Sequence, residues 1–340
     1  MGSEVFLTGA SGFLGRAIVD PLLGAGAEIT ALVRPGAPGG PLPDAVRVCP
    51  GDLEQPQTYS TCLADLARRS PGAAVIHGAS LISYRTDQRA AAQRVNVEAT
   101  ADLIQAMAGC GLERLVLVGS VVAVGSAPDA ASSLGEQADW NLSGVRSAYV
   151  HSKRQQEELA ARLCREHGIE LVTVLPGAIF GVSPRASNTS EFLASVRRRG
   201  APPLVPPGSL GLVSLRDTAR GVQLALERGR NGARYLLVES NATLFECFER
   251  FADAFGKRPP RGVLPRPAWK AIVAAARGVD AIRRLDLLAP EALELLGHHF
   301  RFDAGLARRE LGWSPEPFEV CLGELLDDLS ADPRTAAQGA

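Results

Sequence analysis

The sequence predicts an α/β protein in which a doubly wound parallel sheet is joined to a smaller, mainly helical cap. Three observations predict it. Short apolar runs of β-type residues alternate with helical patterns through the first half, which is how parallel βαβ units read. A glycine-rich turn at residues 8–15 stands directly between the first strand-like run and the first helical one. After Gly181 the rhythm breaks, and stretches dense in Pro and Gly replace the alternation.

In chain order, strands are expected at residues 5–8, 29–33, 46–49, 74–77, 115–119 and 171–175, six in series. Between them, residues 13–23, 58–67, 90–107 and 149–166 carry apolar side chains at helical spacing. Right-handed crossovers put such helices on both faces of the sheet. The stretch 200–211, GAPPLVPPGSLG, is expected to be a long shaped loop, because its Pro and Gly oppose a helix or a central strand. Beyond it come a helix at 214–227, a strand at 235–238 and a helix at 243–255. A second punctuated loop at 259–267 leads to a helical run from 268 and a C-terminal helical region to 329. The expected division is 1–181 as one domain with 212–240 returning to it, 182–211 and 241–329 as the cap, and 330–340 as a flexible tail. The cap is not expected to form a sheet of its own.

Composition bounds the functional classes. With 340 residues and 46% apolar side chains, the chain can bury a large core. Thirty-six basic residues against thirty-seven acidic ones leave a formal charge of −1, so no nucleic-acid or membrane partner is expected from overall charge. The six cysteines, at 49, 62, 110, 164, 247 and 321, form no C-x-x-C pair and no zinc-like spacing with histidine. They read as buried free thiols in a reducing cytoplasm, and no metal is expected. The opening run carries no secretory pattern and no apolar stretch is long enough to span a bilayer, so a cytoplasmic location is expected.

The turn after the first strand reads Thr8-Gly9-Ala10-Ser11-Gly12-Phe13-Leu14-Gly15. Its glycines let the backbone turn tightly and approach a pyrophosphate, whose charge the N–H groups of the following helix meet. Thr8, Gly9, Ser11, Gly12, Phe13, Leu14 and Gly15 are therefore candidate cofactor contacts, and the sheet is of the Rossmann type. The second strand ends in Leu32-Val33-Arg34. An acid there would accept from the ribose 2′-hydroxyl of NAD, whereas Arg34 suits the 2′-phosphate of NADP, so NADP is the expected cofactor. Asp52, after the third strand, also suits a helix N-cap.

Tyr149 and Lys153 stand four positions apart on an expected helix, hence on one face and one turn apart. A free phenol is a poor acid–base catalyst at neutral pH, but a neighbouring ammonium and the positive ring of an oxidised nicotinamide stabilise its phenolate. The chain has four tyrosines and three lysines, so the pairing is not a product of abundance. Ser120 ends the fifth strand, where loops open into the ligand crevice of such sheets, and its hydroxyl can hold a substrate oxygen.

At this point the chain resembles the extended short-chain dehydrogenase/reductases, also called the NAD-dependent epimerase/dehydratase family. The resemblance rests on residues 8–15, Gly51-Asp52-Leu53, His77-Gly78-Ala79 and Val95-Asn96-Val97 with Thr100. It continues through Ser120, Tyr149-x-x-Ser152-Lys153, Leu175-Pro176-Gly177 with Gly181, Leu215-Arg216-Asp217-x-Ala219 and Glu310-Leu311-Gly312-Trp313. Within the family it is most similar to the dihydroflavonol reductase, 3β-hydroxysteroid dehydrogenase and hopanoid-associated reductase branch. The resemblance implies that Asp52 faces the adenine ring, that Gly78 and Ala79 line the cofactor, and that Lys153 also bonds the nicotinamide ribose. It adds Leu53, Ser80, Pro176, Gly177 and Ile179 to the cofactor site, and Asn96 as the holder of a helix and of a proton-relay water. Homodimers built on the helix bearing Tyr149 and the long helix before it occur in the family, so a homodimer is open.

Departures from the family pattern narrow the chemistry. Sugar-nucleotide dehydratases place an Asp-Glu pair after the catalytic hydroxyl, where this chain has Val121 and Val122, and neither can exchange a proton. The expected activity is therefore NADPH-dependent reduction of a ketone or aldehyde of a small apolar metabolite, reversibly oxidation of the alcohol, with Ser120, Tyr149 and Lys153 catalytic. Candidate substrate contacts are Ser80, Tyr84, Val121, Val122, Ile179, Phe192 and Leu204. A sugar-nucleotide epimerase that retains NAD is the first alternative, and a non-catalytic dinucleotide-sensing protein the second. Arg197-Arg198-Arg199 reads as a solvated helix face, His151 as pointing to another face of its helix, and His298 and His299 as diverging neighbours.

Overall fold

The computed structural model describes residues 4–37, 40–183, 187–279 and 289–331. The strands β1 (Glu4–Thr8), β2 (Glu28–Val33), β3 (Val46–Pro50), β4 (Ala74–His77), β5 (Arg114–Val118) and β6 (Glu170–Pro176) match the six expected, each within a residue. They alternate with α1 (Phe13–Gly24), α2 (Ser60–Arg69), α3 (Arg89–Ala92), α4 (Ala99–Cys110) and α5 (Ala148–His167). All six pair in parallel in the order β3-β2-β1-β4-β5-β6, with Leu7 opposite both Ala31 and Ile76. A seventh strand, Arg234–Leu237, joins parallel to the β6 edge.

Both faces are covered, as parallel sheets require. On one side Ile18 and Leu22 of α1 pack with Val222 and Trp313, and on the other Leu63, Leu103, Met107 and Leu163 pack under α2, α4 and α5. The helix expected at 90–107 is interrupted. A π-helical turn, Gln93–Glu98, separates α3 from α4. The helix expected from 58 instead opens with a 3₁₀ turn, Pro56–Thr58, before α2.

The later half corrects two expectations. Besides β10 (Arg234–Leu237), the seventh main strand, it forms small sheets of its own from β7 (Ala178–Phe180), β8 (Leu204–Val205), β9 (Ser209–Ser214), β11 (Ser240–Thr243) and β12 (Gly262–Val263). β9 lies between β11 and β7 in a three-stranded sheet, and β8 pairs with β12. The stretch 200–211 is thus not wholly a loop. Its prolines flank β8 without entering β9, and Gly211 lies so close under Gly177 that a side chain at Gly177 would overlap the Gly211 carbonyl. Glycine there serves close strand approach, which a count of loop formers misreads. The remaining helices are α6 (Asn188–Arg199), α7 (Leu215–Arg228), α8 (Leu244–Ala254), α9 (Arg266–Val279), α10 (Pro290–Leu295) and α11 (Phe318–Ala331). Phe180, Phe251 and Phe318 form a separate aromatic core there. The tail expected at 330–340 lies outside the described residues from 332 onward.

A third correction concerns the thiols. Cys49 at the end of β3 and Cys62 in α2 are joined as a disulfide, with Cα atoms 6.4 Å apart. Cys110, Cys164, Cys247 and Cys321 are free. The sequence has no pairing signal because the two residues meet only when β3 and α2 pack.

Candidate active site

The glycine-rich turn is built by close approach. Gly9 has φ +78°, and a Cβ added there would lie 2.6 Å from the Ala79 nitrogen. A Cβ on Gly15 would overlap the Gly9 carbonyl and lie 2.8 Å from Ala10 Cα. Gly12 caps α1 in extended conformation and donates to Gly9 O at 2.9 Å, leaving the first-turn N–H groups of Phe13 and Leu14 at the open end of the helix. This turn, a cradle in which Gly9 and Gly15 leave no room for a side chain, could hold a pyrophosphate at the helix N-terminus. Ser11 is half-buried beside it.

Arg34 is exposed just past β2. Arg16, which the sequence reading left out, donates from α1 to the carbonyls of Gly40 and Pro41 and so holds the loop that follows Arg34. Asp52 accepts from Glu54 N at 3.1 Å in a local turn and is not the helix N-cap it was expected to suit, since Gln55 precedes the 3₁₀ turn and Tyr59 precedes α2; Leu53 is buried beneath. Gly78 and Ala79 face Thr8, whose hydroxyl accepts from Ala79 N at 3.2 Å.

Ser120, Tyr149 and Lys153 converge at the carboxyl end of β5. Tyr149 and Lys153 are both buried on α5, and Ser120 follows β5 directly. Burial pushes the Tyr149 phenol up, while a hydrogen bond with Ser120 acts in the opposite direction. Sequence reasoning had Lys153 lower that phenol. In the structure its Nζ instead donates to Val118 O at 2.9 Å and to Gln156 Oε1. Burial pulls Lys153 down to about 7, against the pull of Glu157.

Asn96 lies in the π-helical turn, a feature frequent at functional sites. Its oxygen accepts from Ser80 Oγ at 3.0 Å and Leu81 N at 2.7 Å; its nitrogen donates to Leu81 O at 3.0 Å and Ser152 Oγ at 2.9 Å. One amide thus ties the loop after β4 to the helix bearing Tyr149.

The candidate substrate residues divide. Tyr84 stacks edge-on against Tyr149 with ring centroids 5.7 Å apart. Val121 and Val122 form the short turn after Ser120 and pack in the same core as Tyr149. Ile179 is half-buried in β7, just beyond Pro176 and Gly177. Phe192 packs instead into the aromatic core on Phe248 and Phe251, and Leu204 is 49% exposed in the two-residue strand β8. His151 bonds Val145 O at 2.6 Å, and His299 bonds Ser209 Oγ at 2.8 Å. Among the described residues, no cluster of three or more His, Cys, Asp or Glu is placed to hold a metal, and no helix is long and apolar enough to cross a membrane.

Comparison with known proteins follows the same lines. Residues 5–237 match the model of the NAD dependent epimerase/dehydratase family. The chain is 28% identical to a putative dihydroflavonol 4-reductase of Synechocystis sp., over 95% of this chain and 94% of that one. It is 27% identical to sterol demethylase protein B of Methylococcus capsulatus, over 91% and 93%. Among solved structures, gox2253 superposes with TM-score 0.83 at 24% identity, covering 98% of this chain and 99% of that one, a likeness of fold.

Proposed function

Since the chain belongs to the NAD-dependent epimerase/dehydratase family, and so is an extended short-chain dehydrogenase/reductase using NAD(P) and a small-molecule substrate, we propose that it reduces a carbonyl of an apolar metabolite with NADPH. The observation that carries this reading is the convergence of Ser120, Tyr149 and Lys153 at the carboxyl edge of the parallel sheet, the edge that also bears the glycine cradle, with Val121 and Val122 next to them. Bound nicotinamide supplies the hydride. The Ser120 hydroxyl holds the carbonyl oxygen, and the Tyr149 phenol donates its proton to that oxygen. Lys153, its ammonium fixed by Val118 O and Gln156 Oε1, would hold the nicotinamide ribose. Val121 and Val122 offer no second acid–base group, so the chemistry stops at reduction instead of proceeding to dehydration.

Several features support the finer points. Arg34 at the end of β2, with no acid beside it, favours NADP over NAD. Tyr84, Val121, Val122 and Ile179 give the crevice an apolar wall, and the names of the two relatives, a dihydroflavonol reductase and a sterol demethylase protein, fit a ring-bearing apolar ketone. Residues 1–181 with 212–240 would bind the cofactor and 182–211 with 241–329 the substrate.

The test is NADPH oxidation followed at saturating cofactor across a panel of apolar ketones and aldehydes. Tyr149→Phe should then lower kcat by roughly 10²–10⁴-fold while leaving NADPH affinity near the original value. Turnover by the variant at the original rate would refute the assigned proton donor.

A further inference from the structure

Gln156 lies on α5, three residues past Lys153 and therefore on the same helix face. It is 1% exposed and accepts from Lys153, yet the proposed reaction gives it no role. Its nitrogen is 2.9 Å from Thr100 Oγ1, and its oxygen accepts from Lys153 Nζ. Thr100 in turn donates to Asn96 O at 2.7 Å and lies 2.9 Å from His77 Nε2. His77 Nδ1 is 2.8 Å from the hydroxyl of Thr8, the residue before the first glycine of the cradle.

Proton counting makes this chain directional. An ammonium can only donate, so the Gln156 oxygen faces Lys153 and its NH₂ faces Thr100. The one Thr100 hydroxyl hydrogen is spent on Asn96 O, so Thr100 accepts from both Gln156 and His77. His77 with its hydrogen on Nε2 and a bare Nδ1 accepting from the Thr8 hydroxyl satisfies these bonds; the Gln156 nitrogen also lies 3.4 Å from His77 Nε2. That neutral tautomer agrees with burial, which holds His77 down at about 3, with the Lys153 charge acting in the same direction. Each group has its partner, and the chain runs without a break from the phosphate cradle to Lys153.

We propose that Gln156 is the positioning residue for Lys153: it holds the ammonium and sets its hold on a proton, and through Thr100, His77 and Thr8 it ties that ammonium to the cradle that receives the dinucleotide. The proposal rests on the reading that Lys153 serves the cofactor. The other charged or titratable groups that bear on Lys153 are Glu157 on α5 and His77 on β4; Glu157 is paired with Arg234 of β10.

Dinucleotide affinity measured against pH tests this without relying on turnover. In the parent enzyme NADPH binding should weaken as pH rises and Lys153 loses its proton. Gln156→Leu removes a buried acceptor from the ammonium, so the midpoint should move to lower pH by roughly one to two units. Gln156→Glu adds a carboxylate and should move it to higher pH. Thr100→Val leaves the Gln156 amide without its acceptor and should shift the midpoint the way Gln156→Leu does, but less, which covers the case where the leucine variant does not fold. Unchanged midpoints, or shifts of both Gln156 variants in one direction, overturn the proposal. Failure of the parent enzyme to reduce any carbonyl would instead strike the proposed reaction, and leaves the binding profile as an independent readout.

Discussion

At the scale of single residues, the proposed preference for NADP turns on Arg34. Its side chain is exposed just past β2, and Arg16 of α1 donates to the Gly40 and Pro41 carbonyls nearby in sequence. A charge-assisted contact with a phosphate contributes about 1.5–3 kcal/mol, so Arg34→Ala should weaken NADPH roughly 10–100-fold and leave NADH nearly unchanged. Competitive titration of the two dinucleotides checks this; equal losses for both would remove Arg34 from 2′-phosphate recognition. The place of Arg34 just past β2 was legible because a strand end is a local feature. Gln156 was not, because its partners are distant in sequence at Thr100 and His77, and a glutamine inside a helix reads as solvated. Its offset of three from Lys153 was the available signal. Phe192 shows the opposite failure: an aromatic residue suits a pocket wall or a core equally, and only packing on Phe248 and Phe251 decides.

At the scale of elements, strands were read more accurately than helices. Residues 5–8, 29–33 and 171–175 fall within β1, β2 and β6 because runs buried on both sheet faces are nearly continuous in apolar character. The helix expected at 90–107 contains the π turn because Asn96 must turn inward to bond Ser80, Leu81 and Ser152, a demand made by β4 and α5 and not by local periodicity. Likewise β9 forms through a stretch judged unfit for a strand, since its neighbours β7 and β11 supply the pairing. The β3–α2 contact carries the disulfide, and a thiol count tests it: protein unfolded without reductant should titrate as four thiols, and as six after reduction. Six thiols before reduction, in protein kept from reducing agents throughout, would return Cys49 and Cys62 to the free state first expected.

At the scale of the whole molecule, the chain through Thr8, His77, Thr100, Gln156 and Lys153 crosses the interface between the sheet and its helices, so its charge state couples to folding. His77 binds its proton near pH 3 when folded and near 6.5 when unfolded. Between those values the unfolded chain binds the extra proton, and stability rises with pH through that window. Going from pH 7 to 4.5 should therefore cost roughly 2–3 kcal/mol through this residue, and His77→Gln should lose less on the same change, as read from urea midpoints. An acid loss of equal size in both proteins would show that His77 is not the coupled group. The sequence alone determined the architecture, the glycine cradle and the Tyr149–Lys153 pair, because each depends on spacing within one strand, turn or helix, where the chain's own periodicity sets the geometry. Only the tertiary structure decided the Cys49–Cys62 pair, the small sheets of the later half, the separation of Phe192 and Leu204 from Tyr84, and the hold of Gln156 on Lys153. Those depend on which distant segments share a buried volume, and burial is what obliges each polar group there to find its partner.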